Sequence, residues 1–180
     1  MNKWELLNSE KAFESKYITI KKNTYKLPDG TIGEDYFHME RPDYVLIIGI
    51  NKTNQILVEK QYRRGINDFV YELPAGWLNE KEIPEETALR ELLEETGYTG
   101  EAKLLTTIYP QPGFSSMKAH LVLIKINQDN PTQSSLEKDE DIEYQFLNQR
   151  DIDKLILNGT IKDMGMLAAL NIVRIHNNSI

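Results

Sequence analysis

Residues 76–98 read GWLNEKEIPEETALRELLEETGY. The second half of this stretch has the composition of a helix with marked ends. Pro84 suits a first helical position, where its missing N–H costs nothing. Glu85 and Glu86 suit the positive end of the helix dipole, and Gly97 suits a left-handed stop. These signals predict a helix from about 84 to 96. Its apolar positions are Ala88, Leu89, Leu92 and Leu93, spaced for one buried face. At about 100° per residue, Glu91, Glu94 and Glu95 fall together on another side. Glu91 and Glu95 are one turn apart, where like charges repel. A hard cation between them reverses the sign of that interaction. Mg²⁺ or Mn²⁺ fits, because carboxylate oxygens suit hard ions. Arg90 can brace the carboxylates by charge-assisted hydrogen bonds. A solvated acidic face is the competing reading of the helix taken alone.

Upstream, Tyr44–Ile50 (YVLIIGI) is a β-branched run that predicts a strand suited to burial on both faces. Lys52-Thr53-Asn54 turns the chain into a partner strand from Gln55 to Lys60, and another short strand ends near Leu73. A loop then starts at Pro74-Ala75-Gly76, with Gly76 allowing a tight turn. Later strands are expected at 103–109, 118–126 and 142–147. Helices are expected at 151–157 and 164–175. Residues 18–40 read as two strands joined at Leu27-Pro28-Asp29-Gly30, a turn with proline to fix φ and glycine at its end. That hairpin is thin and needs something to pack on. Strands first, one central helix and helices last predict a mixed α/β layer structure, not regular βαβ repeats.

The 180 residues carry a net charge of −7, with 40% apolar and 27% charged residues. This is ordinary globular usage, and it disfavours a nucleic-acid-coating protein. The absence of cysteine excludes disulfides, zinc–thiolate centres and Cys nucleophiles, and fits a cytoplasmic setting. Met1–Glu10 lacks the apolar stretch of a signal peptide, and no apolar run is long enough to span a bilayer. No membrane partner is therefore expected. His38, His120 and His176 show no useful spacing and read as structural or surface residues.

The quoted stretch resembles the Nudix box, G-x5-E-x7-R-E-U-x-E-E-x-G-U. Gly76, Glu82, Arg90, Glu91, Glu94, Glu95 and Gly97 stand at its fixed positions, and Tyr98 stands where a bulky aliphatic is usual. The resemblance implies a Nudix-type α/β/α sandwich with a mixed β-sheet. It implies hydrolysis of a diphosphate linked to a nucleoside, with Mg²⁺ or Mn²⁺ as cofactor. Glu91 and Glu95 become the leading metal ligands, with Glu94 close behind and the Ala75 carbonyl as a further one.

The flanks narrow the resemblance. Gln61-Tyr62-Arg63-Arg64 and Glu72-Leu73-Pro74-Ala75-Gly76 are similar to the run before the box in ADP-ribose and nucleotide-sugar pyrophosphatases. Tyr109–Ser115 resembles the Pro-Gly loop of that branch, with Pro112 fifteen residues beyond Gly97. By this resemblance Arg63, Glu72, Tyr17 and Pro112 bind substrate: Arg63 grips phosphate, and Tyr17 offers an aromatic face to the base. The water-activating base is expected in the acidic run 137–142, at Glu140 first and Glu137 second. The branch also implies a homodimer, with residues 1–41 forming a β region for dimerisation and base binding and 42–180 the hydrolase domain. One departure stands out: Ser116-Met117-Lys118 occupies the place where the branch often has a glutamate. The expected reaction is ADP-ribose to AMP and ribose 5-phosphate, the alternatives being another sugar nucleotide or a non-catalytic ADP-ribose sensor. An intact box and acidic charge argue against the sensor.

Overall fold

In a computed structural model the described residues are 2–136 and 141–177. The chain divides into two compact units. One comprises residues 1–43 and 109–118, the other 44–108 and 119–180.

The first unit is a three-stranded antiparallel sheet, β1 (Glu5–Glu14), β2 (Thr19–Lys26) and β3 (Ile32–Glu40), in that order. The expected hairpin is present as β2 and β3. Its turn is closed by Gly30 N–H donating to the Leu27 carbonyl at 2.9 Å, and Asp29 Oδ1 accepts from Thr31 N–H. The first strand, β1, was not foreseen. All ten of its residues are exposed, so it lacks the alternation that marks a half-buried strand. The 109–118 loop is fastened to β3: Met39 N–H donates to the Phe114 carbonyl, and Ser115 Oγ donates to the Met39 carbonyl.

The second unit holds β4 (Tyr44–Ile50), β5 (Ile56–Arg63), β6 (Asp68–Glu72), β7 (Ala75–Trp77), α1 (Pro84–Thr96), β8 (Gly100–Ile108), β9 (Ala119–Ile126), β10 (Ile142–Leu147), α2 (Gln149–Leu157) and α3 (Met164–Asn177). The sheet runs β10-β5-β4-β9-β8, with β6 on β5 and β7 on β4. The β4–β9 pair is parallel and the others are antiparallel, which makes the sheet mixed.

Strand period two builds the layers. Val45, Ile47, Leu57, Val122 and Ile124 pack with Ala88 and Leu92 of α1. Their neighbours Leu46, Ile48, Ile56, Val58 and Leu121 pack with Ile152 of α2 and Met166, Leu170 and Val173 of α3. One sheet thus separates two apolar layers, each capped by helix, as the α/β/α reading expected.

Strands β4 and β5 pair only where they meet, at Ile50 and Ile56. Beyond that they part, and β6 and β7 take their free sides, while Ile47 N–H bonds the Pro74 carbonyl. Residues 75–77 are therefore strand, where a loop was expected. This splay seats Ala75-Gly76 beside the middle of the sheet.

Candidate active site

Helix α1 is terminated as its sequence dictates. Gly97 adopts φ 75°, and its N–H closes on the Leu93 carbonyl. The buried face differs from the expected one. Ala88 and Leu92 are buried, but Leu93 is 42% exposed, and its place is taken by Thr87, Glu95 and Thr96. Glu95 is only 6% exposed. The three box carboxylates therefore do not share one environment, since the Glu94 side chain keeps 43% of its surface exposed. Tyr98 packs edge-on against Phe146 and Tyr144, filling the apolar pocket its position calls for.

Arg90 is the hub of the box. Its Nη1 donates to Glu91 at 2.9 Å and to Glu94 at 3.0 Å. Its Nε and Nη2 donate to Glu82 at 3.3 and 3.2 Å. Glu82 also accepts from the Thr87 hydroxyl at 2.8 Å. The loop 78–83 is thus tied to the helix by one guanidinium, whose planar fork suits several carboxylates at once. Burial works against the Arg90 charge, but the bond to Glu82 and the pull of Glu91 outweigh it and raise its pKa. The bonds from Arg90 and then Thr87 hold Glu82 at about 2.

Gly76 has a steric task, not the turn role expected of it. A β-carbon there would lie 1.9 Å from Glu91 Cδ, so the carboxylate of Glu91 occupies the space a side chain would need. This brings Glu91 against the backbone of β7, next to Ala75, the expected carbonyl ligand.

These residues fit a hard divalent ion by the chemistry of their donors and by the Gly76 cradle that draws Glu91 to the backbone. Among the described residues, no three acidic or histidine side chains are gathered into a ready-made cage.

Nearby in the same unit, Arg63 Nη2 meets Glu72 Oε1 at 2.7 Å. The two expected substrate contacts are thus partners of each other. Burial raises the pKa of Glu72 despite the Arg63 charge beside it. Glu140 and Glu137 lie outside the described residues.

In the first unit, Tyr17 is 65% exposed, with Lys16 Nζ 5.0 Å from its ring centroid. Pro112 lines a cavity of about 300 Å³ with Trp4, Asn23, Tyr25, Tyr36, Phe37 and His38. Trp4, Tyr25 and Tyr36 meet edge to face there. Sequence reasoning missed this group, because its members come from β2, β3, the residue before β1 and a distant loop. The one local signal was period-two spacing, Asn23 with Tyr25 and Tyr36 with His38.

Comparison with known proteins assigns this fold to a family of hydrolases. The NUDIX domain matches residues 40–169, and the chain belongs to that family. It is similar to an ADP-ribose pyrophosphatase of Bacillus subtilis (strain 168), 33% identical over 157 residues, 86% of this chain and 83% of the relative. It is also similar to a methanol dehydrogenase activator of Bacillus methanolicus, 32% identical over 135 residues, 74% of this chain and 72% of the relative. The crystal structure of an ADP compounds hydrolase shares the fold, with a TM-score of 0.85 at 22% identity, covering 99% of this chain and 96% of that one.

Proposed function

We propose that the protein hydrolyses the diphosphate bond of a nucleoside diphosphate sugar, ADP-ribose foremost, giving AMP and ribose 5-phosphate. The observation that carries this reading is the Arg90 hub, which gathers Glu82, Glu91 and Glu94, with Glu91 seated against Gly76. The similarity to an ADP-ribose pyrophosphatase over most of both chains supports the substrate.

Glu91, Glu94 and Glu95 with the Ala75 carbonyl would hold Mg²⁺ or Mn²⁺. When bound, such an ion supplies positive charge to the diphosphate and acidifies water for attack on phosphorus. Arg90 fixes the orientation of Glu91 and Glu94. Arg63 presents a half-exposed guanidinium for phosphate oxygens, steadied by Glu72. Tyr17 is assigned to the base, Pro112 to substrate binding in the Pro-Gly loop, and Glu140, then Glu137, to proton removal from water.

A homodimer formed through residues 1–41 accompanies this reading. The edge strand β1 and the exposed apolar residues Leu6, Leu7, Phe13 and Ile32 support it, since such edges invite a partner. A monomer in light scattering would count against it. Among the described residues no helix is long and apolar enough to cross a membrane. We assign the activity to the cytoplasm on the absence of cysteine.

A panel of ADP-ribose, ADP-glucose, UDP- and GDP-sugars with each metal tests the substrate. ADP-ribose should be cleaved fastest, with AMP as one product. Preference for a UDP- or GDP-sugar would reassign it, and no cleavage of any member would leave the sensor reading.

A further inference from the structure

The loop after β9 is fastened to the last turn of α1. Thr132 donates twice to the Gly97 carbonyl, through its N–H at 2.9 Å and its hydroxyl at 2.9 Å. Ser135 N–H donates to the Glu94 carbonyl at 2.8 Å. The final carbonyls of a helix have no partner within the helix. Here their donors come from a segment well beyond it in the chain. The approach is close: a β-carbon on Gly97 would lie 2.1 Å from the Thr132 carbonyl oxygen. Gly97 is therefore required twice, for its φ of 75° and for the room it leaves Thr132.

The turn held in this way carries Glu94 and Glu95. It is an electrostatically unfavourable turn. The C-terminal end of a helix bears negative partial charge, which disfavours carboxylates. Two of them sit in it, a third stands at Glu91, and no basic residue lies in the last turn. Glu91 is fixed independently, by the Gly76 cradle and Arg90. Fraying of the last turn would then displace Glu95 and pull Glu94 from the Arg90 bond that it shares with Glu91. Mg²⁺ demands near-ideal octahedral geometry and tolerates such displacement poorly.

We propose that Thr132 is a positioning residue for the metal-binding carboxylates, holding the Gly97 end of α1 so that Glu94 and Glu95 stay in register with Glu91. This rests on the reading of those glutamates as metal ligands.

The test is Mn²⁺ binding to the full chain, followed by the electron paramagnetic resonance signal of free Mn²⁺. Wild type, Thr132→Val, Thr132→Ser and Ser135→Pro are compared. Valine removes the hydroxyl donor and keeps the shape, serine restores the donor, and proline removes the bond to Glu94. The loss of one hydrogen bond predicts a rise of about three- to tenfold in the Mn²⁺ dissociation constant for T132V and S135P. T132S should stay near wild type. Turnover in T132V should recover at excess metal with KM for the nucleotide unchanged, which a merely structural defect would not produce. If T132V does not fold, S135P decides. Unchanged Mn²⁺ affinity in the folded variants, with wild type binding, overturns the positioning role alone. No Mn²⁺ binding by wild type overturns the metal assignment and the positioning role together.

Discussion

Glu91 fills the space that a side chain on Gly76 would take: a β-carbon there would sit 1.9 Å from its Cδ and 2.0 Å from its Oε1. The contact joins the first residue of the box to its helix, across fifteen positions in the chain. The blocked atoms are the far end of a flexible side chain, so Glu91 can swing away at little cost in packing. Gly76→Ala should therefore unfold close to the wild-type temperature yet lose at least about tenfold in kcat, the scale expected when a catalytic group is displaced. Because the damage runs through Glu91, Gly76→Ala added to Glu91→Gln should reduce activity little further. Additive losses in that double-mutant cycle would show that Gly76 acts elsewhere.

The Glu82 anchor makes stability depend on acid. Its pKa in the folded, metal-free protein is about 2, against an ordinary 4.5. The folded value is the lower one, so the stabilisation is fully present above about 4.5. As pH falls the unfolded chain takes up the proton first, and the contribution disappears on the way down to about 2. Glu82→Gln should be less stable than wild type at neutral pH, and the gap should close through that window. Urea midpoints taken at intervals of pH measure it. A constant gap down to the acid limit would remove Glu82 from this role.

Lys81 lies at φ 73°, a left-handed conformation that a lysine backbone adopts at a cost. Glycine there relieves the strain but enlarges the freedom of the unfolded chain. The balance predicts that Lys81→Gly stabilises the protein by about 0.5–1 kcal/mol. Chemical denaturation reads this directly. A loss of stability would mean that the Lys81 side chain makes a compensating contribution.

The central helix was legible in the sequence because its signals are local. Pro84 and Gly97 bracket it, and the structure starts it at Pro84 and ends it at Thr96. The two-sided burial of 45–49 was legible for the same reason. What escaped is what depends on distant partners. Residues 75–77 form a strand only because β4 and β5 part and leave an edge for them. Strand β1 has no buried face to impose a pattern. The burial of Glu95 and the exposure of Leu93 reverse what polarity suggests, since a carboxylate on the core side is set by the site and not by hydropathy. The cavity around Trp4 and Pro112 joins residues about a hundred positions apart, which no local spacing encodes.

We propose that the box glutamates of α1 support metal-dependent cleavage of a nucleotide diphosphate. The most direct measurement is AMP release from ADP-ribose by wild type and Glu95→Gln, each with Mg²⁺ and with chelator. Wild type should release AMP only when metal is present. Release should fall at least about a hundredfold in E95Q with the fold retained, the scale seen when one strong electrostatic contribution to catalysis is removed. Wild-type release that persists in chelator, or full activity in E95Q, would contradict it.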